Sequence, residues 1–143
     1  MVDEIPRRNR SPHGWWIASY LLRAVWDDEP SPPNSRRRCL AWENTVIIQA
    51  PDREAAYAKA LLLAAENAVG DFHDEARRSR KGRFVFEGLT SLMPIYDRLE
   101  DGAEVLWAEY RNMTVGKLLS WVKQKSELEA FDDAPSKGEL PYR

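Results

Sequence analysis

The sequence predicts an α+β fold: a four-stranded, mainly antiparallel sheet in the order ββαββα, with its helices packed on one face. Three observations lead to this prediction. Two apolar segments with alternating patterning lie near the N-terminus, an alanine-rich segment with helical spacing follows them, and a glycine turn joins two later apolar segments. A helix layer on one sheet face is the simplest way to bury these apolar surfaces.

The first two strands are predicted over residues 14–26 and 39–49. In the first segment Trp16, Tyr20 and Trp26 share one face at a period of two. The second alternates more cleanly, so one of its faces is expected to be half exposed. The connection between them, 27–38, contains three prolines and is therefore predicted to be a loop.

The first helix is predicted from Asp52 to about Asn67. Asp52 can accept a hydrogen bond from a free N–H of the first turn, and the many alanines that follow have high helix propensity. Gly70 is a plausible terminator.

The second half is predicted to contain two more strands and a helix. Residues 71–82 are interpreted as a charged linker, 83–96 as a strand, and 103–110 as its hairpin partner across a turn that contains Gly102. Thr114 can cap a last helix that extends to about Leu128. The domain is expected to span 14–131, between a flexible basic arm (1–13) and a C-terminal tail (132–143).

Length and composition indicate one soluble domain. The chain has 143 residues, 43% hydrophobic and 31% charged, with a net charge of −2. The single cysteine cannot form an internal disulfide, and the N-terminus lacks the apolar stretch of a secretory signal. We therefore expect a cytoplasmic protein without a membrane span. Its net charge gives no overall electrostatic attraction to nucleic acid.

Short segments in a fixed order carry a resemblance to a known family. They are Trp15 to Leu22, Trp42-Glu43, Val46 to Ala50, Asp52 to Ala60, Phe84 to Gly88 and Glu100 to Val105. In order and spacing the chain resembles, over residues 14–110, the uncharacterised bacterial family called domain of unknown function 4288. The resemblance implies an architecture and no established activity. Families of this build are similar to the immunity proteins that neutralise bacterial toxins, an analogy of fold rather than of site.

The motifs of most catalytic chemistries are absent from the sequence. Cys39 follows three arginines, but His13 and His73, the two candidate bases, fall in predicted loops without a family signature. The sequence contains no CxxC, HxxxH or HExxH spacing and no glycine-rich phosphate loop. We therefore predict no catalytic residue, no metal and no cofactor.

Carboxylates on the predicted strands leave an enzymatic alternative open. Glu43 and Glu87 lie mid-strand, and Glu104 and Glu109 lie on the predicted last strand. Two that share a concave site could act as acid and base. The competing interpretation is a solvated sheet face, with glutamates paired to Arg23 or Arg111.

The leading hypothesis is a non-catalytic protein-binding module, in its narrowest form an immunity-type protein that occludes a toxin. An electrostatically steered contact with an aromatic anchor is expected. The other partner that the sequence allows is a second copy, because both sheet faces are apolar. The candidate contact residues are Trp26, Asp27, Asp28, Glu29, Glu100 and Asp101.

Two arginine-rich loops form an alternative surface. In the predicted order both loops can lie at one end of the sheet and make a basic patch, which suits an acidic protein or, less well given the net charge, a nucleic acid. A nucleic-acid accessory protein is therefore the third hypothesis. The residues of this patch are Arg36, Arg37, Arg38, Arg77, Arg78 and Arg80.

Overall fold

The computed structural model of the chain describes residues 4–29, 35–36, 38–68, 71–74 and 80–134. The chain divides into two compact units, Met1–Leu106 and Trp107–Arg143. The two units are described separately below.

The first unit is built on an antiparallel sheet with three long strands and one short strand. These are β1 (Trp15–Trp26), β2 (Ala41–Gln49), β3 (Asp71–Asp74) and β4 (Arg80–Pro94), arranged in the order β2-β1-β4-β3. β1 lies at the centre, between β2 and β4. This position suits its sequence, which has apolar side chains on both faces. The α+β class with an antiparallel sheet is therefore confirmed.

One helix, α1 (Arg53–Asn67), covers one face of this sheet. Asp52 caps it as predicted, since its Oδ1 accepts a hydrogen bond from the Ala55 N–H at 2.8 Å. The buried residues of α1 are all alanines, Ala56, Ala60 and Ala64, and Ala55 and Leu63 pack beside them while partly exposed. They pack against large side chains of the strands, including Trp16, Tyr20 and Ile48. Small residues on the helix thus make room for large ones on the sheet.

The pairing register assigns the strand residues to the two faces. Even-numbered residues of β1 lie under α1, and odd-numbered residues lie on the other face, which we call the open face. β4 carries two residues more than β1 opposite it, because Tyr20 pairs with Leu89 after Ser19 has paired with Ser91, and a second shift leaves Glu87 unpaired. These bulges bend β4 and redirect the Glu87 side chain.

The segment before β1 is attached to the sheet, unlike the flexible arm expected for 1–13. Arg7–Asn9 forms a 3₁₀ turn, and the Tyr96 hydroxyl donates to the Arg8 carbonyl. Ser11 Oγ donates to the Ile95 carbonyl and accepts from the Trp15 N–H, both at 2.9 Å. These bonds fix the start of β1 to the end of β4.

The prediction of a strand over 103–110 is wrong. The turn before it forms, with the Ala103 N–H donating to the Glu100 carbonyl at 3.0 Å and Gly102 at φ 86°. The chain then continues as an exposed segment without a strand. Four consecutive apolar residues, 105–108, break the alternation that a half-buried strand needs. Instead β3, inside the predicted 71–82 linker, pairs with β4.

The second unit contains a helix much shorter than the predicted one. α2 spans Val115–Leu119 and begins at Thr114, whose Oγ1 accepts from the Lys117 N–H at 3.1 Å. It ends at Ser120, whose hydroxyl donates to the Lys117 carbonyl and so competes with helical bonding. Two 3₁₀ turns follow, Lys125–Glu127 and Glu129–Phe131. No residue described between 103 and 134 is buried.

Candidate functional site

The open face of the sheet carries a cluster of charged residues around Arg23. Arg23 Nη1 lies 3.7 Å from Glu29 Oε2, and its Nε lies 3.6 Å from Glu87 Oε2. The Glu29 side chain is only 7% exposed, and its Oε1 also accepts from the Trp26 N–H at 3.2 Å. The cluster therefore fixes the chain leaving β1 against the sheet, with Arg23 balancing a buried carboxylate.

Glu43 and Glu87 lie on the same open face, so the structure keeps the enzymatic hypothesis as a prediction. Glu43 pairs with Leu21, and Arg23 is two residues further along β1, so Glu43 and Arg23 lie on the same side of the sheet. The contact between Arg23 and Glu87 places Glu87 on that side as well. Both carboxylates are exposed. A general acid needs a desolvated carboxyl, and no feature around the two described carboxylates provides that environment.

The predicted acidic contact surface is divided between the two ends of the sheet. Asp27 and Asp28 are exposed at the end of β1, and Glu100 and Asp101 are exposed in the turn beyond Ile95, which bonds to the first residue of β1. The twelve residues of β1 separate these ends by about 36 Å at about 3.3 Å per step. The four carboxylates cannot form one patch.

Trp26 and Glu29, the other members of that surface, are not accessible. Trp26 is 6% exposed and packs with Ala24, Leu40 and Phe84, so the expectation of an exposed aromatic anchor is corrected. The signal was available in the sequence, because Trp26 shares the even-numbered register of Trp16, whose face α1 covers. Glu29 is engaged in the Arg23 cluster.

The described residues of the arginine-rich surface lie at the end of the sheet that also carries Asp27 and Asp28. The Asp27 N–H donates to the Lys81 carbonyl at 3.0 Å, which brings the start of β4 next to the end of β1. Arg36 and Arg38 are exposed in the loop that enters β2, and Arg80 is the first residue of β4. Arg37, Arg77 and Arg78 lie outside the described residues. Acidic and basic side chains therefore share this end.

A feature that the sequence reasoning missed is a concentration of exposed apolar side chains, here called the C-terminal apolar segment. Between 105 and 131 the exposed large apolar residues are Val105, Leu106, Trp107, Tyr110, Val115, Leu118, Leu119, Trp121, Val122, Leu128 and Phe131. The last helix was predicted to pack on the sheet, so its apolar stripe was assigned to the core. Within the second unit, none of the described residues of that stripe is buried.

Local contacts order the C-terminal apolar segment without burying it. The rings of Tyr110 and Trp121 meet edge to face, with centroids 5.1 Å apart. Lys123 Nζ lies 2.5 Å from Glu129 Oε1. This hydrogen bond lowers the pKa of Glu129 below its ordinary value and raises the pKa of Lys123 above its own. These contacts order the segment locally.

Comparison with known proteins gives a family. Residues 15–107 match the family described as Domain of unknown function (DUF4288). The chain belongs to DUF4288. No curated protein and no solved structure matches it. The matched range ends one residue after the first unit, so most of the C-terminal apolar segment lies beyond the DUF4288 match.

Two further findings concern the described part of the chain. None of its helices has the length and apolar character needed to cross a membrane. No group of three or more His, Cys, Asp or Glu side chains described in the structure is placed to hold a metal ion. Cys39, the free cysteine, is exposed.

Proposed function

We propose that this DUF4288 protein is a non-catalytic protein-binding module that makes its main contact through the C-terminal apolar segment. The observation that carries the proposal is the unburied stripe of Val115, Leu118, Leu119 and Val122 on and beside α2. Val115, Leu118 and Leu119 have the spacing of one face of α2, and Val122 follows in the turn after it. A contiguous apolar surface of this kind on a folded chain marks an interaction site.

The energetics of the stripe fit a binding role. Leu119 is 64% exposed and Val122 is 74% exposed, so most of each side chain is available to a partner. Full burial of such a side chain contributes about 1.5–3 kcal/mol. Burial of the exposed parts of both side chains therefore contributes at least about 2 kcal/mol, which is about thirtyfold in affinity at about 1.4 kcal/mol per tenfold. Trp121, a residue type common among interface anchors, is exposed next to them.

The narrower hypothesis, an immunity-type protein that occludes a toxin, stays a prediction within this proposal. It requires that the partner be an enzyme whose activity falls on binding. The charged loops at the end of β1 could steer such a partner, since rim charges act mainly on the association rate. Replacement of Asp27 and Asp28 by alanine should then slow association at low salt.

The test is affinity capture of the tagged full chain from its native lysate, with protein and nucleic acid both quantified. The wild type should retain a stoichiometric protein partner. The double variant Leu119→Ser/Val122→Ser should lose it, because the apolar contact is removed. The matched control is Leu62→Ser/Tyr57→Ser on α1, whose side chains are 61% and 50% exposed, and it should retain the partner.

Three outcomes would overturn the proposal. Recovery of the bare chain would mean that no stable protein partner exists. Equal loss of the partner in the control would mean that the partner contacts α1, or that it binds exposed apolar side chains without preference for the C-terminal apolar segment. Recovery of nucleic acid with steep salt dependence would favour the arginine loops instead.

A further inference from the structure

β2 is an edge strand of the sheet that the structure describes. It pairs only with β1, and no described strand pairs with its other side. In an antiparallel pair, alternate residues direct their N–H and C=O groups to the neighbour and the others away from it. The Ala24 N–H donates to the Leu40 carbonyl and the Ala50 N–H donates to the Gly14 carbonyl, so even-numbered positions face β1. The outward backbone groups therefore belong to Ala41, Glu43, Thr45, Ile47 and Gln49.

A side-chain contact supports this assignment of the outward groups. Lys59 Nζ donates to the Gln49 carbonyl at 3.1 Å, which places that carbonyl on the accessible side of β2. The other outward groups make no hydrogen bond to a described strand. β2 also lacks the lysines and prolines with which edge strands commonly block pairing.

The opposite edge of the sheet is protected. β3 covers the start of β4, from Arg80 to Arg83. Beyond it β4 is bulged at Glu87, contains Gly88 at φ 148°, and ends in Pro94. Bulges and proline disrupt the regular backbone spacing that an added strand needs. A partner strand therefore has one regular template on this sheet, and it is β2.

We propose that two copies of the chain pair antiparallel along β2 and form one continuous sheet, with the two-fold axis at Thr45. The five outward positions are symmetric about Thr45, so every outward residue meets an outward residue of the second copy. Glu43 then lies opposite Ile47 of the other copy. A register centred on Glu43 would instead set two like charges directly opposite each other, which is unfavourable.

Charge complementarity favours a second copy as the occupant. In the Thr45-centred register, Arg38 before β2 comes level with Asp52, at the start of α1 in the other copy. Arg38 lies two residues before Leu40, which packs with Ala24 and Trp26 in the even-numbered register, and Arg38, Asp52 and Glu54 are exposed. The two-fold axis creates this contact twice, at both ends of the shared edge.

The first test is the molar mass of the full chain, measured by light scattering over a concentration series. The wild type should reach twice the chain mass of 16.5 kDa. Thr45→Pro removes an outward N–H and the hydroxyl that contacts Ser19, but no backbone hydrogen bond to β1, and it should raise the dimer dissociation constant at least about 30-fold. The matched control Thr45→Val keeps the N–H, loses the 2.8 Å contact with the Ser19 hydroxyl, and should remain dimeric.

The second test fixes the register by disulfide trapping in a Cys39→Ser background. Thr45→Cys should form a linked dimer under mild oxidation, because the two Cα atoms across the axis lie about 5.5 Å apart, within disulfide range. Gln49→Cys is equally exposed but should not link. Equal trapping of both, or a monomer at every concentration, would overturn the proposal. The Leu119→Ser/Val122→Ser variant should still dimerise, so this result is separate from the proposed function.

Discussion

The fit of α1 on the sheet can be tested by replacing Ala60 with leucine. Ala60 is fully buried and belongs to the core cluster with Trp16 and Ile48. Leucine adds three carbon atoms where the helix already contacts the strands. Overpacking of this kind costs about 1–3 kcal/mol. At an m-value of about 2 kcal/mol/M, the urea midpoint should fall by about 0.5–1.5 M.

The matched control is Ala65→Leu, on the exposed side of the same helix. Leucine and alanine have similar helix propensities, so this change should alter the free energy of unfolding by less than about 0.5 kcal/mol. A second variant, Ala60→Leu/Ile48→Ala, makes space beside the added leucine and should be more stable than the sum of its single changes predicts. If Ala60→Leu unfolds at the wild-type midpoint, the helix does not pack as closely as described.

Three other predictions concern local interactions. Arg23→Met should destabilise the chain by about 3 kcal/mol in urea unfolding, because it leaves the buried Glu29 carboxylate without its cation; a loss under about 0.5 kcal/mol would contradict this role. Lys123→Met should raise the pKa of Glu129 toward its ordinary 4.5, which carboxyl NMR can follow. In the wild type the local structure that this ion pair stabilises is present above pH 4.5 and is lost as the pH falls through the lowered pKa of Glu129. It is also lost as the pH rises through the raised pKa of Lys123. Asp52→Ala should cost about 1 kcal/mol in thermal unfolding, while Asp52→Asn should cost less, and equal stability of all three would exclude capping.

The sequence predicted the elements whose periodicity is strong and whose partners are near in the chain. The first strand, the second strand and the alanine-rich helix were placed to within about two residues at each end. For α1, the cap at Asp52 and the alanine spacing were sufficient. The turn through Gly102 was also predicted, because it depends on local backbone freedom alone.

The errors arose where pairing is decided by competition rather than by local pattern. β3 is four residues long and mostly polar, so its sequence resembles a linker, and only its pairing to β4 makes it a strand. Residues 103–110 have enough apolar side chains for a strand but no alternation. The candidate site followed the same rule: Trp26 was assigned to the surface because it borders a loop, although its register places it in the core.

The position of β1 in the chain has a consequence for folding during synthesis. β1 precedes β4 in the chain, and β4 ends at Pro94, 68 residues after Trp26. At about 5–20 residues per second, one edge of the tryptophan-rich β1 waits about 3–14 s for that partner. Until β4 has been synthesised, the apolar side chains and one backbone edge of β1 lack their partner, so a chaperone that binds the nascent chain is expected to act mainly in this interval.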